Sequence, residues 1–247
     1  MTKIRMQLFG SALDPNIQIG SIRASTLARY FWCSPQAWIM GSGVTTPKND
    51  SLTFGTKTHL DIEKSRKFSF AEAQFEKAIK QYYTDSISRI WFNKDGKTFG
   101  EIVTHGMDGF LVVQDRKVRL MEYKTKKGWQ VLPVDVVPNT FQMNIYMWIH
   151  EPYLQLEDYI WDGGSLIYLK RNKDKTFTPI GEKETWSFDS LQIETDYEKI
   201  FDEWNRASQA KTNEERRSIL IPPKNYKCII CNSITKCVHD VCPFQNS

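Results

Sequence analysis

The chain lacks any long apolar run. Its longest uncharged stretch, Tyr30 to Pro47, contains Gln, Ser, Pro and Gly, so no membrane-spanning helix is expected. No secretory signal is expected either. Met6 to Leu13 is too short and too polar for one, and Asp14 follows. These absences imply a cytoplasmic protein with no membrane partner. Nor is there an excess of one charge sign: 33 Lys and Arg stand against 29 Asp and Glu, a net charge of +4. Such a balance permits nucleic-acid binding without demanding it. No internal repeat or low-complexity tract is present, which excludes solenoids and fibres. Gly96-Lys97-Thr98 resembles the end of a phosphate-binding loop, but Trp91 stands where that motif needs glycine. A nucleotide-triphosphate site of that type is therefore excluded. Cysteine is sparse, at five residues, and a reducing compartment would keep those thiols out of disulfides.

What the chain does have is an ordinary globular composition. Of its 247 residues, 40% are hydrophobic and 25% charged, and eight are Trp. That is enough to bury a sizeable core. Residues 1–20 read as an N-terminal extension and 21–247 as a single domain, with a Cys-rich segment at about 222–242. Ser25 is a plausible cap for a helix running past Cys33, with Ser34-Pro35 as a possible break. Helices are expected over 56–66 and 70–83, where Ala71, Phe75, Ala78, Ile79 and Tyr82 recur at helical spacing. Strands follow at 87–93 and 98–104 around Asp95-Gly96, then at 107–114 and 117–124 around Asp115-Arg116. A helix over 136–151, a strand over 165–171 and an amphipathic helix over 190–209 complete the order. The amphipathic face is built from Leu191, Ile193, Tyr197, Ile200, Phe201 and Trp204. The mixture implies an α/β or α+β domain.

The second hairpin carries the chemistry. Asp108 opens one strand and Glu122 closes the next, so tight antiparallel pairing brings them together. Strand alternation puts Glu122 and Lys124 on one face and turns Tyr123 away. Two carboxylates suit a hard divalent cation such as Mg²⁺ or Mn²⁺. A neighbouring lysine can orient or deprotonate a water, or stabilise charge in phosphodiester hydrolysis. The same three residues also fit a plain surface hairpin with a Glu–Lys pair. Arg116 to Lys127 holds six basic residues against one acidic one; that suits a phosphate backbone or a solvated edge that deters aggregation.

Four of the cysteines, Cys228, Cys231, Cys237 and Cys242, lie in the last 20 residues. The C-x₂-C start is a metal-ligand spacing. Cys242 or His239 would complete a local zinc site; alternatively, Cys33 would close a [4Fe–4S] site with three of the tail thiolates.

Asp108 followed by Glu122-Tyr123-Lys124 resembles the core of the PD-(D/E)XK nuclease superfamily. Gly106 before the Asp and Thr125-Lys126 after the Lys resemble its RecB-type branch. That branch carries an upstream helical His, matched by His59 in Phe54–His59 with Glu63 beyond. It also carries a downstream Gln-x-x-x-Tyr helix, matched by Gln142 and Tyr146. Some members hold an iron–sulfur staple of one early Cys and three late ones, and Cys33, Cys228, Cys231 and Cys237 resemble that pattern, with Cys242 extra. The chain is most similar to the CRISPR-associated RecB-like nucleases of spacer acquisition, through Ile22–Ser25 and Tyr30–Pro35 as well. Residues 1–20 and 85–100 are longer than in compact members, and the usual Cys-Pro is here Cys33-Ser34-Pro35.

The resemblance implies a mixed central sheet flanked by helices and closed by a [4Fe–4S] cluster. It implies that His59, Asp108, Glu122 and the Tyr123 carbonyl bind Mn²⁺ or Mg²⁺, that Lys124 activates water, and that Gln142 and Tyr146 position DNA or the lysine. The implied activity is a DNA exonuclease, or endonuclease, acting on single-stranded DNA or DNA ends in CRISPR prespacer processing, with the CRISPR integrase complex as a partner. Lys126 and Lys127 are expected to track phosphates in a narrow channel. Phage, viral or plasmid recombination nucleases share these motifs. A non-catalytic DNA-binding iron–sulfur or zinc assembly module is the other reading.

Overall fold

In the computed structural model, residues 21–41, 87–92, 98–104, 107–126, 130–156, 158–174, 177–180 and 184–220 are described. The expected helices over 56–66 and 70–83, the Asp95-Gly96 turn and the Cys-rich tail lie outside them. The chain divides into two compact units, residues 1–5, 48–88 and 103–190 in one, and 6–47, 89–102 and 191–247 in the other.

The first unit is organised on a mixed sheet. Strands β4 (Gly109–Gln114) and β5 (Lys117–Lys126) pair antiparallel across Asp115-Arg116. β5 then pairs in parallel with β6 (Ile160–Arg171) from Lys117↔Ile160 to Lys126↔Lys170. Two short strands, β7 (Phe177–Pro179) and β8 (Glu184–Trp186), pair antiparallel with different stretches of β6. A parallel neighbour requires a crossover, and helix α3 (Pro133–Leu156) supplies it, packing against β6 and β5. The apolar residues of α3 do not form a single stripe. Met143, Ile145, Met147, Trp148 and Ile149 are all at most 1% exposed, so the middle of this helix is buried almost all round, while Val137 near its start and Leu156 at its end are exposed. Trp161 ties it to β6 by donating its indole N–H to the Met147 carbonyl at 2.8 Å.

Irregularities at the β4–β5 turn and in β6 shape the sheet. Arg116 closes the β4–β5 turn at φ 57°, a left-handed position that a residue with a Cβ occupies at a cost. Its guanidinium stacks over Tyr159, 5.5 Å from the ring centre. In β6 the register shifts between Val118↔Trp161 and Arg119↔Gly163. Asp162 bulges out to pair with Arg119, and Gly163 takes φ 111°.

The second unit contains β1 (Ser21–Arg23) and most of β2 (Ile87–Phe92) and β3 (Thr98–Thr104), in the order β1-β3-β2. The first helical region differs from the sequence expectation. Helix α1 (Ala24–Ala28) is capped at Arg23 without a side-chain bond and tightens into a 3₁₀ turn over Arg29–Phe31. A new helix, α2 (Ser34–Gly41), then starts at Ser34. Pro35 opens α2 rather than ending its predecessor, because a first-turn proline gives up no intrahelical donor.

Helix α4 (Ser190–Gln209) has the expected amphipathic form. Ile193, Tyr197, Ile200, Phe201, Trp204 and Ala207 are buried along one face, and Phe201 meets Trp204 edge-on at 5.7 Å. Leu191 is the exception; it lies off that stripe in the first turn and is 72% exposed. Helix α5 (Asn213–Ile219) begins with a full capping box between Thr212 and Glu215. Its Arg216 donates to the carbonyls of Ala207 at 3.3 Å and Ala210 at 3.1 Å, closing the end of α4.

Candidate active site on strand β5 and helix α3

Strand geometry builds the site. Residues 120, 122, 124 and 126 share one face of β5, and the same face of β6 carries their parallel partners Leu166, Tyr168 and Lys170. Bonds from Lys124, Lys126 and Tyr168 to α3 show that this face is turned toward the helix. Tyr123 points to the other side and packs with Ile167 against Leu169 and Phe177.

Glu122 lies inside β5 rather than at its end, and is 3% exposed. Its Oε1 accepts from Lys124 Nζ at 2.5 Å. A buried carboxylate is costly unless paired, and Lys124 provides the partner. Asp108 sits just before β4, and its Oδ2 accepts the Tyr123 N–H at 2.7 Å. That bond fixes the Asp108 carboxylate against the backbone midway between Glu122 and Lys124. Lys124 also donates to Gln142 Oε1 at 3.2 Å, and Gln142 Nε2 donates to the Tyr146 hydroxyl. An ammonium can only donate, so the Gln142 amide is oriented with its oxygen toward Lys124. Five residues, from β5, α3 and the segment just before β4, thus form one hydrogen-bonded chain: Glu122, Lys124, Gln142 and Tyr146 side chain to side chain, with Asp108 joined through the β5 backbone.

The electrostatics follow from burial and proximity. Burial works against the Lys124 charge, but Glu122 outweighs it, with Tyr146 and Asp108 adding to the effect. The ammonium is held above the usual lysine range, so Lys124 is a cation at neutral pH. Burial, reinforced by Glu122, pushes the Tyr146 phenol up and keeps it neutral. Tyr123 is raised by burial and then by Asp108.

The oxygen donors of Asp108, Glu122 and the Tyr123 carbonyl are of the hard type that Mg²⁺ and Mn²⁺ take. Among the described residues no group of three or more His, Cys, Asp or Glu side chains is placed to hold a metal. The further ligand expected from the motif, His59, lies outside the described residues, as do Cys228, Cys231, Cys237 and Cys242. Cys33 is half-buried at the start of α2, its carbonyl accepting the Ala37 N–H at 3.0 Å.

The motif pattern includes Lys126 but not three polar residues around it, Asp135, Asn139 and Tyr168. Lys126 pairs with Asp135 in the first turn of α3 and donates to the Gln130 carbonyl at 2.9 Å. Asn139 donates to the Tyr168 hydroxyl at 3.0 Å and to the Asp135 carbonyl at 2.8 Å. The signal was present in the spacing: Asp135, Asn139, Gln142 and Tyr146 recur every three or four residues, a polar stripe along one face of the helix.

No family model matches the chain, and no curated protein sequence matches it. Solved structures do. One, reported as the crystal structure of SSO0001, aligns over 94% of this chain and 89% of its own at 18% identity with a TM-score of 0.52. A second, titled "Putative exonuclease" from Eubacterium rectale, aligns over 92% and 94% at 9% identity with a TM-score of 0.44. Among the described residues no helix is long and apolar enough to cross a membrane. The chain is a mixed α/β protein, similar in fold to the solved structure of SSO0001.

Proposed function

We propose that the chain is a metal-dependent nuclease of the PD-(D/E)XK type that hydrolyses phosphodiester bonds in DNA. One observation carries the reading. Glu122, a carboxylate 3% exposed, is paired with Lys124 on the same strand face, and the Asp108 carboxylate is fixed between them on the Tyr123 N–H. A solvated surface hairpin would leave this pair in water. Burying it is costly, and such perturbed charges concentrate at functional sites.

Asp108, Glu122 and the Tyr123 carbonyl would hold Mn²⁺ or Mg²⁺, with His59 as the further ligand the motif implies. When bound, such an ion supplies Lewis-acid activation of phosphate and water. Lys124, held cationic, orients the attacking water and offsets charge developing on the phosphate. Gln142 fixes the direction of the ammonium, and the neutral Tyr146 hydroxyl fixes Gln142.

The finer parts of the reading rest on the motif resemblance. They are a preference for single-stranded DNA or DNA ends, exonuclease polarity of either sense, and a place in CRISPR spacer acquisition beside the integrase complex. The cofactor proposal is a [4Fe–4S] cluster on Cys33, Cys228, Cys231 and Cys237, supported by cysteine spacing. The deciding experiment is digestion of end-labelled single strands with and without Mn²⁺. Metal-dependent cleavage is expected, and full activity in EDTA would overturn the reading.

A further inference from the structure

We infer that Lys126 and Asp135 form a positioning pair that sets the register of α3 against β5, and so presents Gln142 to Lys124. The inference rests on the nuclease reading for its catalytic consequence, but its structural content stands separately.

The pair occupies a telling place. Lys126 is two residues beyond Lys124 on the same face of β5, about 6.6 Å further along the strand. Asp135 is two helical turns before Gln142 on the same face of α3, about 10.5 Å along its axis. The two lysines therefore each grip α3 at a different height: Lys126 at its first turn, Lys124 at its third. Between them Asn139 grips the Tyr168 hydroxyl from β6. One anchor would let the helix pivot. Anchors at three heights fix its translation and rotation together, and the Lys126–Asp135 pair is the one at the first turn, so losing it frees the start of α3 to shift.

The pair is itself held. Asp135 is 8% exposed and also accepts the Leu132 N–H at 3.3 Å. The Lys126 ammonium donates to Asp135 and to the Gln130 carbonyl, and its side chain is 22% exposed. These bonds use two of the three ammonium donors, and the Asp135 carboxylate would repel a phosphate brought close. Lys126 is therefore a positioning residue rather than the phosphate contact its place in a basic run suggests.

The two roles predict opposite kinetics. In Lys126→Met, loss of positioning lowers kcat about tenfold, the low end of what removing the support behind a site residue costs. KM and the salt dependence of binding stay as in the parent. A phosphate contact would instead raise KM and reduce the salt slope by about 1. Asp135→Asn separates them again: positioning predicts a lower kcat, whereas a lysine freed to meet phosphate would lower KM with kcat kept. Lys126→Arg, which keeps the ion pair, should restore kcat.

A readout independent of cleavage is amide hydrogen exchange on the metal-free full chain. In Lys126→Met the amides of 139–146 should exchange about tenfold faster, with those of 190–209 unchanged. If the parent protein does not cleave DNA with Mn²⁺, the nuclease reading fails and exchange alone decides the pair. Unchanged protection over 139–146, or a KM effect with kcat kept, would overturn the inference.

Discussion

At the scale of single residues, Glu122 and Lys124 are one object. Removing the lysine leaves a carboxylate in the protein interior without its cation. Breaking a buried pair in this way costs about 3 kcal/mol. Lys124→Met should therefore be destabilised by roughly that amount at pH 7. The loss should shrink as pH falls, because the unpartnered Glu122 would then take up a proton on folding, and chemical denaturation at pH 7 and pH 5 would show the difference. Cleavage by this variant should fall about 10²-fold or more, as when a donor to a developing negative charge is removed. Alternation along β5 made the shared face of Glu122 and Lys124 legible in the sequence. The bond from Tyr123 N–H to Asp108 was not, because it depends on the β4–β5 register and on where the chain enters β4. Nor was the depth of Glu122 visible: a strand drawn to end at Lys124 leaves it at an edge, whereas β5 runs to Lys126 and places it inside.

At the scale of elements, the periodic segments among the described residues were read well and the irregular ones were not. The buried stripe of α4 announces itself at helical spacing. The short strands β7 and β8 carry three residues each, too few for a period to register. The bulge in β6 is similar: Trp161-Asp162-Gly163-Gly164 looks like a turn, so a strand beginning at Ser165 was the natural expectation. The strand in fact starts at Ile160 and absorbs the extra residue at Asp162. Gly163 makes that possible, since φ 111° is open to glycine and strained for any residue with a Cβ. Gly163→Ala should cost about 1–3 kcal/mol. Because a chain of two units need not unfold in one step, the cost is best read as faster amide exchange along β6 and its partner β5. Unchanged exchange there would remove the bulge from the account.

At the scale of the whole molecule, the charge balance says little, and buried titratable groups say more. Lys124, Tyr146, Tyr30 and Tyr197 all hold their protons more tightly in the folded chain than their ordinary values of 10.0 to 10.5 allow. Burial drives the three tyrosines, and Glu122 drives the lysine against its burial. A group whose folded value is raised stabilises fully below its unfolded value and loses that contribution as pH climbs. The metal-free protein should thus keep its stability up to about pH 10 and lose it steeply above, with Lys124→Met and Tyr146→Phe each flattening the decline. Denaturation curves between pH 8 and 11.5 test this.

The central claim is that the Asp108, Glu122 and Lys124 constellation performs metal-dependent hydrolysis of DNA. Its most direct test is digestion of one end-labelled single strand by the parent protein and by Glu122→Gln, in Mn²⁺ and in EDTA, at one ionic strength. Glutamine keeps the shape of Glu122 and an acceptor for Lys124 but removes the charge a metal needs. The account predicts cleavage by the parent in Mn²⁺ alone and none by a folded Glu122→Gln. Equal cleavage by the two proteins, or parental cleavage that persists in EDTA, would contradict it.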